Sequence, residues 1–137
     1  MAKPPVDVGL EWTHDLLFAS TFGGRPGPVI DSDGVAGASP VQALILALGS
    51  CMAVDLVMIL QKGRHDLQGL RARVVGTRVD GPPAYVTGYR IEYEVKGPVP
   101  DTAIQRAIDL SRDTYCSVWH SLRPDAALEV TYTRVDG

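Results

Sequence analysis

Residues 39–63 read SPVQALILALGSCMAVDLVMILQKG and predict a long, strongly apolar α-helix. Ser39 stands at the N-cap, a proline follows at the first helical position, and Gln42 comes three residues after the cap. Together they form a capping box, which marks the start of a helix. The helix is expected to run to Lys62 or the residue before it, with Gly63 as its C-terminal stop.

The polar residues of this helix do not form a single wet stripe. At about 100° per residue they scatter around the helical wheel: Gln42, Ser50, Asp55 and Gln61. A helix that is apolar nearly all round must be covered on every side. A chain of 137 residues can hardly do this alone, because small domains keep a large surface-to-volume ratio. We therefore expect oligomerisation.

The same stretch is long enough to cross a bilayer, which takes about 20 residues. The carboxylate of Asp55 lies well inside it, and its insertion into lipid would cost about 2.5–3.5 kcal/mol. The sequence that follows has the pattern of soluble strands. We therefore expect a buried core helix and no membrane partner.

Composition places the chain among small folded domains. Hydrophobic residues make up 45% of its 137 positions, which excludes a disordered chain. Lys and Arg number 13 against 16 Asp and Glu, a net charge of −3, so no basic surface indicates nucleic acid. We expect a single domain over residues 1–137. The first residues lack the apolar run of a secretory signal, so the expected location is cytoplasmic.

The rest of the chain alternates between strand-like and helix-like patterns, which predicts an α+β fold. Short strands are expected at 8–12, 16–21 and 29–30, a loop at 23–28, an antiparallel hairpin at 70–75 and 89–95, and a last strand at 128–132. A capping box at Thr102 predicts a second helix. Its inward residues are expected to be Ala103, Ala107, Ile108 and Leu110. A further short helix is expected over 116–122.

Two cysteines are the main candidates for chemistry. The chain lacks the phosphate-binding, nucleophile-elbow and zinc motifs of common enzymes, and its three histidines show no metal-ligand spacing. Cys51 and Cys116 both lie on predicted helices. Two interpretations stay open: both are small buried hydrophobes, or they form a pair that cycles between dithiol and disulfide.

Neighbouring residues bear on the reactivity of these thiols. Cys116 lies near the start of the predicted short helix, where the dipole favours thiolate. His120, one turn further, is placed to stabilise that thiolate or pass a proton, unless it is an ordinary surface histidine. Asp55, one turn after Cys51, acts the other way, because an unpaired carboxylate disfavours a nearby thiolate. A reactive Cys51 therefore requires a cation, unless Asp55 is a buried group bonded to strand backbone or to an arginine.

The motif that ends in Gly49-Ser50-Cys51, followed 65 residues later by a second one, Tyr115-Cys116-Ser117-Val118, resembles the OsmC/Ohr family of osmotically induced and organic hydroperoxide resistance proteins. The likeness is greatest to its YhfA-like branch, and it runs from about residue 8 to 135, including the order of elements. It implies an OsmC-like fold, in which antiparallel sheets wrap around a long central helix. It also implies an intertwined homodimer with two sites at the subunit interface.

The resemblance further implies a thiol-dependent peroxidase that reduces small organic hydroperoxides. Cys51 would be the peroxidatic thiol that becomes sulfenic acid, and Cys116 the resolving thiol that condenses with it to a disulfide. A thiol or dithiol reductant would restore the pair. Neither a cofactor nor a metal ion is needed.

The sequence departs from the family pattern at one position. Peroxidase members have a glutamate directly after the motif's proline, where this chain has Val41. In those members the glutamate holds an arginine that activates the first thiol. Arg25 is the sole arginine before Cys51 and hence the candidate activator, with Asp55 as a substitute partner. The departure keeps open a non-enzymatic protein that binds a small apolar ligand or senses redox state, and also a structural dimer with inert thiols.

Overall fold

The computed structural model describes residues 2–135, and the chain divides into two compact units. The first extends up to Leu44 and the second begins at Ile45. The long helix α1 (Pro40–Lys62) contributes its first residues to one unit and the rest to the other. The expectation of a single domain over 1–137 stays a prediction.

An antiparallel sheet forms the first unit. Its strands are β1 (Val8–His14), β2 (Leu17–Phe22), β3 (Arg25–Pro26) and β4 (Ile30–Asp31). β2 pairs with each of the other three. The three expected strands are confirmed, whereas the segment predicted as a loop contains β3. Gly23 and Gly24 both have positive φ, which turns the chain back onto β2.

A buried carboxylate organises the loop after β4. The oxygens of Asp31 accept the backbone N–H groups of Asp33, Val35 and Ala36. These hydrogen bonds favour the ionised form, and the bond from Ala36 contributes most to lowering the pKa of Asp31 below its ordinary value. The loop therefore depends on an ionised Asp31.

The helix α1 starts at the predicted capping box. Ser39 Oγ accepts the N–H of Gln42 at 3.2 Å, and Gln42 Oε1 accepts the N–H of Ser39 at 2.9 Å. The helix ends at Lys62, as expected. The residue that takes the left-handed conformation is Arg64, with φ of 62°, and Gly63 still donates its N–H to a helical carbonyl.

One face of α1 packs on the sheet of the second unit and the opposite face is uncovered. Four of its large side chains are buried almost completely: Leu48, Met52, Leu56 and Leu60. Burial of such a side chain contributes about 1.5–3 kcal/mol. On the other face Leu46, Val54 and Met58 are 65%, 55% and 63% exposed. By length and composition α1 would also cross a bilayer, and 28% of its apolar window is buried, so the expectation of no membrane partner stays a prediction.

The second sheet has the order β5 (Gly69–Arg78), β6 (Val86–Lys96) and β7 (Ala127–Val135). β5 and β6 pair antiparallel, which confirms the hairpin. β7 pairs parallel with β6, so the expectation of purely antiparallel sheets is wrong. The reason is the connection: α2 (Asp101–Leu110) and the segment after it carry the chain back to the end where β6 began, and such crossovers produce parallel pairs.

The helix α2 begins two residues earlier than predicted and without a capping box. Its N-cap is Pro100, which makes no side-chain cap, so the expected cap at Thr102 is wrong. Asp101 occupies the first turn, where a negative charge is favourable, and its carboxylate accepts the hydroxyl of Tyr132 at 3.1 Å. Of the expected inward residues Ala107 and Ile108 are buried, and Ala103 and Leu110 are half-buried. Within residues 2–135, two sheets and two α-helices make an α+β fold.

Candidate active site

Cys51 lies in the middle of α1, two residues after Gly49, where this helix contacts the second sheet. A Cβ atom at Gly49 would lie 2.5 Å from Cγ2 of Val74 on β5, so only glycine permits this approach. The hydroxyl of Tyr93 on β6 donates to the carbonyl oxygen of Gly49 at 3.0 Å. These two contacts hold the turn that carries Cys51 against the sheet, and the side chain of Cys51 is partly exposed.

Cys116 follows a π-helical turn that continues α2 from Ser111 to Tyr115. Its backbone is extended, so the helix predicted over 116–122 is wrong. Only a 3₁₀ turn, Trp119–Ser121, forms there, because the few residues before the next proline do not suffice to nucleate an α-helix. The Cys116 side chain is completely buried, and its sulfur accepts the backbone N–H of Trp119 at 3.4 Å.

The fold places Cys51 near enough to Cys116 to affect its ionisation, although the two lie 65 residues apart in the sequence. Both are free cysteines. The pKa of Cys116 is raised to about 11, chiefly by burial, with further contributions from the thiol of Cys51 and the charge of Asp55. The N–H of Trp119 acts in the opposite direction but does not prevail. The expected helix-dipole activation of Cys116 is wrong, because no α-helix begins at this residue and burial raises its pKa.

Three polar side chains complete a thiol cluster, which we define as Cys51, Asp55, Tyr93, Ser111 and Cys116. The hydroxyl of Ser111 donates to Oδ2 of Asp55 at 2.7 Å, and Ser111 is fully buried. The pKa of Tyr93 is raised well above its ordinary range, first by burial and then by the two thiols and Asp55. Tyr93 is therefore a neutral hydrogen-bond donor in this cluster.

Asp55 has a different partner from those expected. No ion pair between Asp55 and a lysine or arginine occurs among the residues that the structure describes. Its hydrogen bond goes to the hydroxyl of Ser111, rather than to strand backbone or an arginine. A cleft of about 620 Å³ opens beside Asp55. Its walls combine large apolar or aromatic side chains with two cations: Met58, Ile59, Leu110, Tyr115, Lys62 and Arg106.

His120 and Arg25, the other two candidates from the sequence, each make a local contact. His120 Nδ1 contacts the carbonyl oxygen of Cys116 at 2.8 Å, so this ring nitrogen serves the backbone and not the sulfur. Arg25 lies on β3 in the first unit, with its guanidinium 5.0 Å from the centre of the Phe22 ring. The activating role of Arg25 stays a prediction.

Tyr93 and Ser111 were missed by the sequence analysis, although both leave a signal there. Tyr93 is at an inward position of a strand with period-two alternation, and the hydroxyl of a buried tyrosine needs a partner. Ser111 continues the buried spacing Ile104, Ala107 and Ile108 of α2, which places a hydroxyl in the core. In residues 2–135 no group of three or more His, Cys, Asp or Glu side chains is arranged to hold a metal ion.

The fold is α+β, and it places two free cysteines near each other beside a long apolar helix and a mixed sheet. These features define the class of the protein as a paired-thiol protein. The chain belongs to the OsmC family, because residues 31–131 match the model of the OsmC-like protein family. Organic hydroperoxide resistance proteins from Legionella pneumophila and Bacillus subtilis share this fold.

Individual relatives agree with this membership. The chain is 33% identical over 128 residues to protein YhfA of Escherichia coli K12, covering 90% of this chain and 92% of the relative. A hypothetical protein from Aquifex aeolicus VF5 has a similar crystal structure, with 26% identity, a TM-score of 0.88 and coverage of 98% and 99% of the two chains. The organic hydroperoxide resistance protein OhrB of Bacillus subtilis shares the fold, with 12% identity, a TM-score of 0.61 and coverage of 94% and 98%.

Proposed function

We propose that the protein is a thiol-dependent peroxidase that reduces small organic hydroperoxides through Cys51 and Cys116. The observation that carries the proposal is the pairing of two free thiols from distant segments, one partly exposed and the other buried. The exposed member, Cys51, is the one an oxidant reaches. The buried member, Cys116, is placed to capture the oxidised sulfur before further oxidation.

The reaction needs no group beyond the two thiols, a hydroperoxide and a reductant. The Cys51 thiolate attacks the terminal oxygen of ROOH, the O–O bond breaks, and the departing RO⁻ takes a proton to become ROH. Cys51 is left as sulfenic acid. The Cys116 sulfur then attacks this sulfur, the S–OH bond breaks, and the hydroxide leaves as water after taking the Cys116 proton. A dithiol reduces the disulfide by exchange and becomes oxidised itself.

Turnover with an organic hydroperoxide and a dithiol tests this proposal directly. Cumene hydroperoxide and dithiothreitol are mixed with the wild type, Cys51→Ser and Cys116→Ser, and peroxide consumption is followed by stopped flow. We expect Cys51→Ser to be inactive, and Cys116→Ser to stop at a sulfenic acid that dimedone traps. Undiminished consumption by Cys51→Ser would overturn the proposal. Inert structural thiols are the conclusion if, in the wild type, both cysteines resist labelling until the chain unfolds.

Activation of Cys51 needs a cation, and we propose Arg25 for this role on the family pattern. With Val41 in the place of the family glutamate, its expected partner is missing. Lys62 and Arg106 line the cleft beside Asp55 and are the alternatives. Arg25→Gln is expected to slow sulfenic acid formation by about tenfold or more, the effect of losing one charge-assisted contact. A loss of this size in Arg106→Gln, with Arg25→Gln unaffected, would assign the role to the cleft.

A second candidate function is binding of a small apolar ligand or redox sensing without turnover. The cleft beside Asp55 favours it, because about 620 Å³ with large apolar walls accommodates a small molecule. The raised pKa of Cys116 also favours it, since a protonated resolving thiol is slow. A ligand retained in native mass spectrometry, together with no peroxide consumption, would select this function.

We propose that the active form is a homodimer built on the uncovered face of α1. Leu46, Val54 and Met58 expose large apolar side chains on one face of the helix, which water disfavours. A charge on this face should separate the subunits, so Met58→Glu is expected to sediment as a monomer. Gln105→Glu, at an exposed polar position on α2, is the control and should stay dimeric. A wild type that sediments as a monomer would contradict the proposal.

We propose a cytoplasmic setting because the cycle needs a compartment that reduces disulfides.

A further inference from the structure

The segment that delivers Cys116 is shaped by the π-helical turn from Ser111 to Tyr115. The N–H of Cys116 donates to the carbonyl oxygen of Ser111 at 2.8 Å, five residues back instead of four. The additional residue in this turn rotates the chain out of the phase of α2 and directs the Cys116 side chain into the protein interior.

Both the backbone carbonyl and the side-chain hydroxyl of Ser111 make hydrogen bonds. Its carbonyl oxygen holds the backbone of Cys116, and its hydroxyl donates to Oδ2 of Asp55 on α1. Asp55 lies one helical turn after Cys51. A hydrogen-bonded path therefore runs from the turn that carries one thiol, through Asp55 and Ser111, to the backbone of the other.

Charge does not account for the presence of Asp55 in this cluster. The charge of Asp55 raises the pKa of Cys116 and so opposes formation of that thiolate. Among the described residues it makes no ion pair that would offset this effect. What the carboxylate does supply is a strong, directional acceptor for a buried hydroxyl, and such bonds fix geometry.

We propose that Asp55 and Ser111 are positioning residues that hold Cys116 against Cys51 and thereby set the rate of disulfide formation. The inference rests on the proposed thiol cycle and adds a role for two residues that the family pattern leaves without one. Their hydrogen bond acts on the second step, the closure of sulfenic acid to disulfide, and not on the first.

The experiment measures the two steps separately after one equivalent of cumene hydroperoxide, with dimedone trapping and mass spectrometry. In Ser111→Ala and Asp55→Ala, we expect sulfenic acid to form at Cys51 at the wild-type rate or faster. We expect its closure to disulfide to slow by about tenfold or more, as for loss of a charge-assisted bond. Asp55→Asn keeps an acceptor oxygen of the same shape and should close faster than Asp55→Ala. Ser121→Ala, which removes an exposed serine hydroxyl, is the control.

The outcomes separate this inference from the function on which it rests. A wild type that forms no Cys51–Cys116 disulfide would overturn the proposed cycle itself. A wild type that forms it, with Ser111→Ala closing equally fast, would overturn only the positioning role. If Ser111→Ala does not fold, the comparison of Asp55→Asn with Asp55→Ala decides. Equal closure rates in those two variants would overturn the role, and faster closure in Asp55→Asn would support it.

Discussion

Ionisation of the buried thiol gives the most direct test of the site. A pKa of about 11 for Cys116 means that about one molecule in 10,000 carries this thiolate at pH 7. For a thiol at the ordinary value of 9.0 the fraction would be about one in 100, so the thiolate is about a hundredfold scarcer. Alkylation requires the thiolate, so its rate at Cys116 should rise about tenfold per pH unit from pH 7 to 10.

The assay is iodoacetamide labelling of the reduced wild type at several pH values, with the two cysteine peptides quantified by mass spectrometry. Burial also restricts access of the reagent, but this factor multiplies the rate equally at every pH and leaves the slope unchanged. Cys51→Ser removes one cause of the raised pKa, so Cys116 in that variant should react at lower pH. The reasoning is refuted if folded Cys116 is alkylated at pH 7 as fast as in urea, or if its rate is independent of pH.

The same shift affects folding stability at high pH. The unfolded chain releases the Cys116 proton near pH 9, whereas the folded protein retains it to about pH 11. Between these values the folded state binds more protons, so the free energy of unfolding should fall as the pH rises. Urea denaturation at pH 8, 9.5 and 10.5 measures this fall, and Cys116→Ser should show less of it.

Three further perturbations test the packing around the thiols and the loop after β4. Gly49→Ala should lower the free energy of unfolding by about 1 kcal/mol, because overpacking against Val74 costs about 1–3 kcal/mol and helix propensity returns about 1. In a Val74→Ala background, Gly49→Ala should be neutral or stabilising. The measurement is thermal melting at equal protein concentration, and the control is Gly88→Ala, whose Cβ would make only ordinary contacts. Tyr93→Phe removes the hydroxyl bond to the Gly49 carbonyl and should cost about 1 kcal/mol in urea denaturation, and an unchanged midpoint would argue against that bond. Asp31 has a lowered pKa, so its contribution to stability is complete above its ordinary value of 3.8 and is lost as the pH falls through that value and below; Asp31→Asn should flatten this acid loss, and equal acid profiles would contradict the assignment.

Local chemistry made the long elements predictable. The box of Ser39 and Gln42 specifies the start of α1, because both partners of its reciprocal hydrogen bonds lie within one turn of the chain. The period-two alternation of β5 and β6 specifies their inward faces for a similar reason. Successive side chains of a strand point to opposite faces, so the apolar positions show which face is buried. Both predictions needed only neighbouring residues, and both are confirmed.

Two of the predictions that were wrong depended on partners far along the chain, unlike the local capping box expected at Thr102. The parallel pairing of β7 follows from the path of α2, and the extended backbone of Cys116 follows from a π-turn whose serine is bound to another helix. No local propensity reports either feature, because the energy that selects them comes from tertiary contacts.

The candidate site divides along the same line. Which atoms are candidates for the chemistry was predictable from the chain alone, because the thiol is a property of the residue type, and the motifs around Cys51 and Cys116 identified the family. How these atoms behave was not, because burial, the N–H of Trp119 and the charge of Asp55 act through space. A thiol is desolvated only in a packed interior. For that reason, only the folded chain makes Cys51 a partly exposed thiol and Cys116 a buried, protonated one.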